Sequence, residues 1–385
     1  MGGKIEGGKG RMINYTGILI ALTALLAGNL RAADPWKYAE PGYKVTLPRD
    51  HGSHPDYRIE WWYLTGHLWT ENKERRFGFQ ATWFRVGVDK KNRTLTHPTD
   101  AFGEDELFLA HMALVDIQTG RFIHEERFQR NNWDAWAKEE DLDLRNGNWT
   151  LKRQPGPPEQ IQLSGSVLGD GRFSFRLKPI KPLVQFGEEG ISRKGDARSA
   201  ASIYLTFPRL ELTGNLDWEG ARHEVHGQAW MDHEISSSQL DQNQVGWDWA
   251  SIQLQDGREI MVYLMRRSDG SFDPWSRLHW IDRDSKTTSI KPSNFSWTAK
   301  GKWKSPETGT EYPAGLVLKI DDPERKREIT LHLNPLVQGQ EMIGRLGGIN
   351  YWEGACDVLD DSGRSVGSAY VELTGYDGKL EGRLR

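Results

Sequence analysis

The sequence predicts an all-β protein built as two antiparallel β-barrels in tandem. Three observations lead there. Short segments rich in aromatic and β-branched residues recur from Glu60 onward, each bounded by Gly, Asp, Asn or Pro. No long apolar stripe of helical period competes with them. At 385 residues the chain also exceeds what one hydrophobic core organises, so two domains are expected.

The elements follow in chain order. Lys4, Lys9 and Arg11 precede an apolar run from Ile18 to Leu26, and Leu30-Arg31-Ala32-Ala33 comes next. This is the order of an export signal cut near Ala33 or Asp34. A membrane-spanning helix needs roughly 20 apolar residues, more than this run supplies. No Cys follows it to serve a lipoprotein route. Residues 1–33 are therefore expected to be a signal peptide, and the mature chain periplasmic or secreted. The single Cys356 cannot form an intrachain disulfide, so cysteine usage permits an oxidising compartment without indicating one.

In the first half, Arg76 to Val86, Leu107 to Asp116, Phe173 to Leu177 and Ser202 to Phe207 read as strands. The polar stretch from Trp136 to Leu144 is the most helix-like piece. The run Ser236-Ser237-Ser238-Gln239 separates two strand-rich halves and puts a junction between Ser236 and Asn243. The expected domains are thus 34–238 and 239–385. Asp256-Gly257, between Trp247 to Leu254 and Glu259 to Arg266, predicts a tight hairpin. Phe295 to Thr298, Leu316 to Ile320, Ile329 to Leu333, Tyr351 to Val358 and Ser368 to Leu373 repeat the rhythm, as a sandwich or barrel requires.

The formal charge of -4 leaves no basic surplus to neutralise phosphates, which argues against nucleic acid as a partner. The 17 Trp, 13 Phe and 11 Tyr predict an aromatic-rich core. A barrel of about eight strands can hold one small ligand, and aromatic side chains would line such a hollow.

Three stretches concentrate the chemistry-bearing residues. They are Asp50-His51-Gly52-Ser53-His54-Pro55 with Glu60-Trp61-Trp62-Tyr63-Leu64-Thr65-Gly66-His67-Leu68; Gly227-Gln228-Ala229-Trp230-Met231-Asp232-His233-Glu234 running into Gly246-Trp247-Asp248-Trp249; and Tyr351-Trp352-Glu353-Gly354-Ala355 with Tyr370-Val371-Glu372-Leu373-Thr374-Gly375-Tyr376. The first two set titratable groups among wide aromatic faces, an environment that shifts acids and imidazoles toward proton transfer. Asp232, His233 and Glu234 are the catalytic candidates. Trp230, Trp247, Trp249, Tyr263, Trp62, His54 and Glu60 are the substrate-binding candidates. On an extended strand Asp232 and Glu234 share one face and His233 takes the other. His51, His54, His67, His111 and His233 are metal-ligand types, but their spacing is no zinc signature, so hydrogen-bonded structural roles are preferred and no metal is expected. No Gly-x-Ser-x-Gly elbow supports a serine hydrolase.

These phrases, running in order from about Asp50 to Tyr376, resemble the carotenoid hydratase (hydroxyneurosporene synthase) family, and more closely its AttH-like branch of secreted proteins, often described as predicted hydrolases. The resemblance implies two lipocalin-like, calycin-type barrels. It also implies addition of water across the terminal double bond of an acyclic carotenoid. There an acid protonates the alkene, aromatic faces shelter the cation, and no cofactor is needed. On this chain, Asp232 and His233 would supply or move the proton, and Trp230, Trp247 and Tyr263 would form the walls. Two departures make the implied catalytic set incomplete: Ile235 stands where the hydratases carry a Trp, and Met265 where they carry an acid.

The expected partner is a hydrophobic small molecule, isoprenoid or lipid, with peripheral contact to a membrane left open. Three functions remain in play: a carrier of that molecule, a hydratase or hydrolase acting on it, and a binding module with filled barrels and Trp-rich exposed rims.

Overall fold

A computed structural model of the chain describes residues 35–88, 106–238, 240–241, 243–346 and 349–378. The expected signal peptide and Gln239 lie outside them. Among the described residues the helical content is two single turns of 3-10 helix, Arg49–His51 and Pro292–Asn294. No helix there is long and apolar enough to cross a membrane.

The chain is all-β, as its sequence predicts. The first sheet contains β1 (Ile59–Thr70), β2 (Arg76–Gly87), β3 (Glu106–Asp116), β4 (Phe122–Arg130), β5 (Ala135–Ala137), β6 (Asp143–Asn146), β7 (Trp149–Gln154), β8 (Gln160–Val167), β9 (Gly171–Pro179), β10 (Val184–Phe186), β11 (Ser192–Arg193), β12 (Ala201–Trp218) and β13 (Ala221–Ser236). The second contains β14 (Gln244–Leu254), β15 (Glu259–Arg267), β16 (Arg277–Ile281), β17 (Thr287–Ile290) and β18 (Phe295–Ala299), then, after the separate ribbon of β19 (Lys302–Lys304) and β20 (Glu311–Pro313), β21 (Leu316–Asp322), β22 (Arg327–Pro335), β23 (Glu341–Ile343), β24 (Asn350–Leu359) and β25 (Ser365–Thr374). Both sheets share one wiring. Four consecutive strands form a meander, β1 to β4 and β14 to β17, and the first strand of each sheet also pairs with the last, β1 with β13 and β14 with β25. Each sheet thereby curls into a nearly closed antiparallel barrel.

Alternation along each strand then sorts most buried side chains into three large cores, beside two smaller clusters. Trp62, Leu64 and Leu68 of β1 join Trp83, Trp149, Trp218, Phe173 and Phe175 inside the first barrel. Ala250, Ile252 and Leu254 of β14 join Trp280, Trp297, Tyr312 and Trp352 inside the second. The opposite faces, carrying Tyr63, Tyr204, Trp230, Trp249, Met261, Tyr263 and Tyr370, pack the barrels against each other in a third cluster, the seam.

Three sequence expectations are corrected. A ligand-holding hollow inside a barrel is not found among the described residues, because rings fill that space: Phe79 to Phe175 and Phe173 to Phe175 have centroid distances of 5.4 and 5.0 Å. The helix-like stretch Trp136 to Leu144 is instead the β5 and β6 hairpin. There Leu142 and Leu144 are buried, and Trp136 Nε1 donates to Asp143 Oδ1 across the turn at 3.2 Å. The strand from Ser202 does not stop at Phe207 but runs to Trp218. A bulge between Phe207 and Leu210 accommodates Pro208, which cannot donate to the ladder. The Asp256-Gly257 hairpin forms as expected, with Gly257 at φ +87°.

Filled barrels make the large rings the main source of stability. Trp149→Ala, at a fully buried site, is expected to lower unfolding free energy by about 3–5 kcal/mol in a denaturant titration. Trp133→Ala, at a residue 84% exposed, should change it by less than about 0.5 kcal/mol.

Candidate functional site

The seam is not packed solid. A cavity of about 180 Å³ lies between the barrels, walled by Trp61, Tyr63, Tyr204, Trp247, Trp249, Tyr263 and Tyr351. Ile59, Phe84, Val86, Leu109 and Ile349, all half-buried, complete its apolar lining. Four carboxyl side chains, Asp232, Glu234, Glu353 and Glu372, enter this apolar space, with Lys194 as the ammonium group among them.

Asp232 and Glu234 project together from β13, two residues apart on its seam face. Asp232 is saturated with donors: Tyr204 OH reaches Oδ2 at 2.6 Å, while Thr206 Oγ1 and Trp230 Nε1 reach Oδ1 at 2.6 and 2.7 Å. Trp249 Nε1 in turn donates to Tyr204 OH at 3.0 Å. Burial pushes Asp232 up to about 7, against the pull of the Thr206 and Tyr204 hydrogen bonds. Its geometry suits orienting the aromatic wall. Glu234 pairs with Lys194 Nζ at 2.8 Å. That ammonium also sits 4.5 Å from the ring centroids of both Tyr204 and Tyr263, a cation held on aromatic faces.

The other two acids come from the second barrel. Glu353 of β24 and Glu372 of β25 lie directly opposite each other in the strand pairing. Burial, followed by the neighbouring Glu372 charge, holds Glu353 well above the usual carboxylate range. Burial likewise raises Glu372 to about 7, opposed by the Thr374 hydrogen bond. Two adjacent carboxyls in an apolar cavity do not both ionise readily, so the pair holds a proton at neutral pH.

The remaining predicted residues go elsewhere. His233 points into the first barrel, as strand alternation requires, and stacks on Trp62 at 4.6 Å. Glu60 lies at the centre of this cluster. Its Oε1 meets His54 Nδ1 at 2.7 Å and His233 Nε2 at 2.8 Å, and its Oε2 accepts from His54 N at 2.7 Å and Arg85 Nε at 3.1 Å. Burial opposes ionisation, yet the hydrogen bonds from His233 and His54 and the Arg85 charge outweigh it and hold Glu60 well below the usual carboxylate range. Ligand atoms of His54, Glu60 and His233 all lie within 4.8 Å of one another. With a guanidinium already on the carboxylate, the arrangement is explained as a hydrogen-bonded lock. Trp62 adds its indole N–H, donated to His51 O at 3.0 Å.

Of the predicted residues, the structure therefore gathers Asp232, Glu234, Trp247, Trp249 and Tyr263 around the cavity. It places Trp230 beside it and puts His54, Glu60, Trp62 and His233 in the lock. Tyr63, Glu353 and Glu372 lie in the stretches the sequence singles out but are not among its site candidates, and Tyr204 and Lys194 lie outside those stretches. The available signal was one Glu in each of two strands, in phase with Tyr351 on β24 and with Tyr370 on β25.

The profile of the AttH-like family matches residues 38–376. The crystal structure of a protein described as AttH from Nitrosomonas europaea is 33% identical, covers 88% of this chain and 99% of its own, and superposes with a TM-score of 0.77. Kievitone hydratase from Nectria haematococca shares the fold at 13% identity, with 89% and 99% of the two chains covered and a TM-score of 0.64. CghA bound to Sch210972 does so at 12% identity, with 90% and 98% covered and a TM-score of 0.50. Curated proteins give no match.

Two expectations follow from the buried acids. Glu60→Gln removes the fully buried counter-charge of Arg85, leaving it only the more exposed Glu106 at 3.2 Å, and should cost about 3–5 kcal/mol at neutral pH. In the parent chain that contribution is complete above the free carboxylate pKa of about 4.3 and fades as pH falls below it. Asp232 acts in the opposite direction. Its folded pKa is raised from 3.8 to about 7, so the native state is favoured below the free value and loses stability as pH rises from about 4 to about 7. Asp232→Asn should flatten that part of the stability profile, read by urea denaturation at successive pH values.

Proposed function

The chain belongs to the AttH-like family, and on that premise we propose that it takes an isoprenoid or lipid-like small molecule into the cavity between its two barrels. The observation carrying this proposal is an apolar, aromatic-walled space in the seam of a molecule whose barrel interiors are filled. Its volume of about 180 Å³ suits a compact molecule or the end of a longer chain, and the few polar groups inside would fix orientation. The filled barrels agree with a third function, a pure interaction module. Against that function, Trp133 is the one tryptophan among the exposed large apolar side chains of the described residues, so a Trp-rich rim is missing there. The basic and apolar order of the first 33 residues supports action in the periplasm or outside the cell.

A second proposal, acid-assisted addition of water to a double bond, is favoured by one specific observation. Met265 lines the cavity where the hydratases carry an acid, but Glu353 and Glu372 enter the same cavity from β24 and β25. A protonated carboxyl there could give its proton to an alkene carbon. The cation would rest against Trp247, Trp249 and Tyr263. Water would add to it and lose a proton to the second carboxylate, so that one water is consumed and the acid pair regains its starting charge. A fold neighbour named as a hydratase is consistent with this chemistry.

Squalene should quench the fluorescence of the cavity tryptophans at micromolar concentration. Leu109→Trp, which adds bulk to the half-buried part of the cavity lining, should weaken that binding tenfold or more while leaving the melting temperature within a few degrees. Absence of quenching by squalene and by shorter isoprenoids would remove the binding proposal. For the second proposal, lycopene incubated in isotopically labelled water should yield a labelled tertiary alcohol, and Glu372→Gln should slow this at least about a hundredfold. Recovery of unreacted lycopene from the parent protein rejects hydration and leaves binding in place.

A further inference from the structure

We infer that the molecule bound in the seam carries an acceptor oxygen, and that Glu353 is the residue that recognises it through a proton fixed on Oε2. The inference rests on the seam cavity being the binding site and adds what the ligand must contain. Tyr63, reaching across from the first barrel, donates its hydroxyl proton to Glu353 Oε1 at 2.5 Å. With Oε1 engaged as an acceptor, the proton of the neutral acid resides on Oε2. That oxygen is buried and has no hydrogen-bond partner among the described residues, although the side chain is only 1% exposed and lines the cavity.

An unpaired polar atom in such a place is costly, because removal from water is not offset by a new bond. The other cavity acids do not share this condition. Asp232 accepts three donors, Glu234 is paired with Lys194, and Glu372 accepts from Thr374 Oγ1 at 2.8 Å. Glu372 has a different part: standing opposite Glu353 across the β24 and β25 ladder, it disfavours a second negative charge there and keeps Glu353 protonated. The cavity that Glu353 lines is walled mostly by aromatic and aliphatic side chains, with Gln80, Thr82 and His111 among its polar lining. The complementary ligand is an apolar molecule with one carbonyl or ether oxygen, such as an isoprenoid ketone, in preference to a pure hydrocarbon. A donated hydrogen bond of this kind also draws electron density toward the oxygen, which would activate a conjugated double bond for attack.

The test compares β-ionone, an isoprenoid ketone, with the hydrocarbon of the same skeleton lacking the oxygen. Tryptophan quenching gives the dissociation constants, and the infrared carbonyl stretch of bound ketone reports the hydrogen bond. The parent protein should prefer the ketone by roughly three- to tenfold, the size of one net hydrogen bond, with the stretch moved to lower frequency. Glu353→Gln, which keeps a donor, should retain most of that preference. Glu353→Met should abolish it, the two probes then binding within about twofold of each other. Equal affinity for the two probes in the parent protein, an unshifted carbonyl stretch, or a ketone preference that survives Glu353→Met would each overturn the inference and leave the seam cavity as the binding site. If neither probe binds, the inference falls together with the cavity assignment. Should the Met variant fail to fold, the carbonyl stretch in the parent protein decides alone.

Discussion

The architecture depends on one constraint: β1, β13, β12, β14, β24 and β25 each serve two cores at once. A strand at the surface of a barrel usually shows one apolar face to the interior and one polar face to water. Here the second face is apolar as well, because it meets the other barrel. Trp62 fills the first barrel while Tyr63 faces the seam; Trp352 fills the second while Glu353 faces the seam. A register slip of one residue between β1 and β13 would exchange these roles along the whole strand. The cavity is therefore a consequence of strand register more than of any loop.

That dependence gives the Glu60 lock a purpose beyond local satisfaction of charge. Glu60 and Trp62 lie on β1 and His233 on β13, and Trp62 is the direct cross-strand partner of His233. The bond from Glu60 to His233 and the ring stack therefore clamp the two strands in a single alignment. Their neighbours one residue along, Tyr63 and Asp232, are also a cross-strand pair, and they face the seam. A charged network sealed inside the first barrel thus sets the position of groups on its outer face. Gly66 contributes in another way: a Cβ there would stand 2.5 Å from Phe79 Cε1 and 2.7 Å from Gln228 O, so only glycine lets β1 approach its neighbours this closely.

Much of this was legible in the sequence. Strand positions followed from aromatic and β-branched runs, and the hairpin at Asp256-Gly257 from its turn chemistry. The split of Asp232 and Glu234 from His233 followed from period-two geometry alone. What could not be read locally was which outward face would be covered. Trp61-Trp62-Tyr63 looks the same whether its outer residues meet ligand, water or another barrel, and only the packing of two sheets decides. The surroundings of Glu60 are set in the same way by the fold: its partners lie 6, 25 and 173 positions away in sequence. Glu353 and Glu372 stand in a stretch the sequence singles out, yet an acid in a strand usually marks a solvated face, and only the packing of the second barrel turns that face into the seam.

The two acid clusters show how burial with different partners produces opposite chemistry. Glu60 is enclosed by two imidazoles and a guanidinium, which together keep its charge in place and make it a structural anion. Glu353 is enclosed as fully, but its neighbours are a phenol and another carboxyl, so the same burial drives it to the neutral form. An ionised carboxyl would serve poorly as a donor in an apolar cavity, whereas a neutral one can offer its proton to a ligand. Because Tyr63 belongs to the first barrel and Glu353 to the second, that offer exists only when the barrels are docked. Neither barrel alone holds the donor, the hydroxyl that orients it and the aromatic walls around it, which is a physical reason for the two to be joined in one chain.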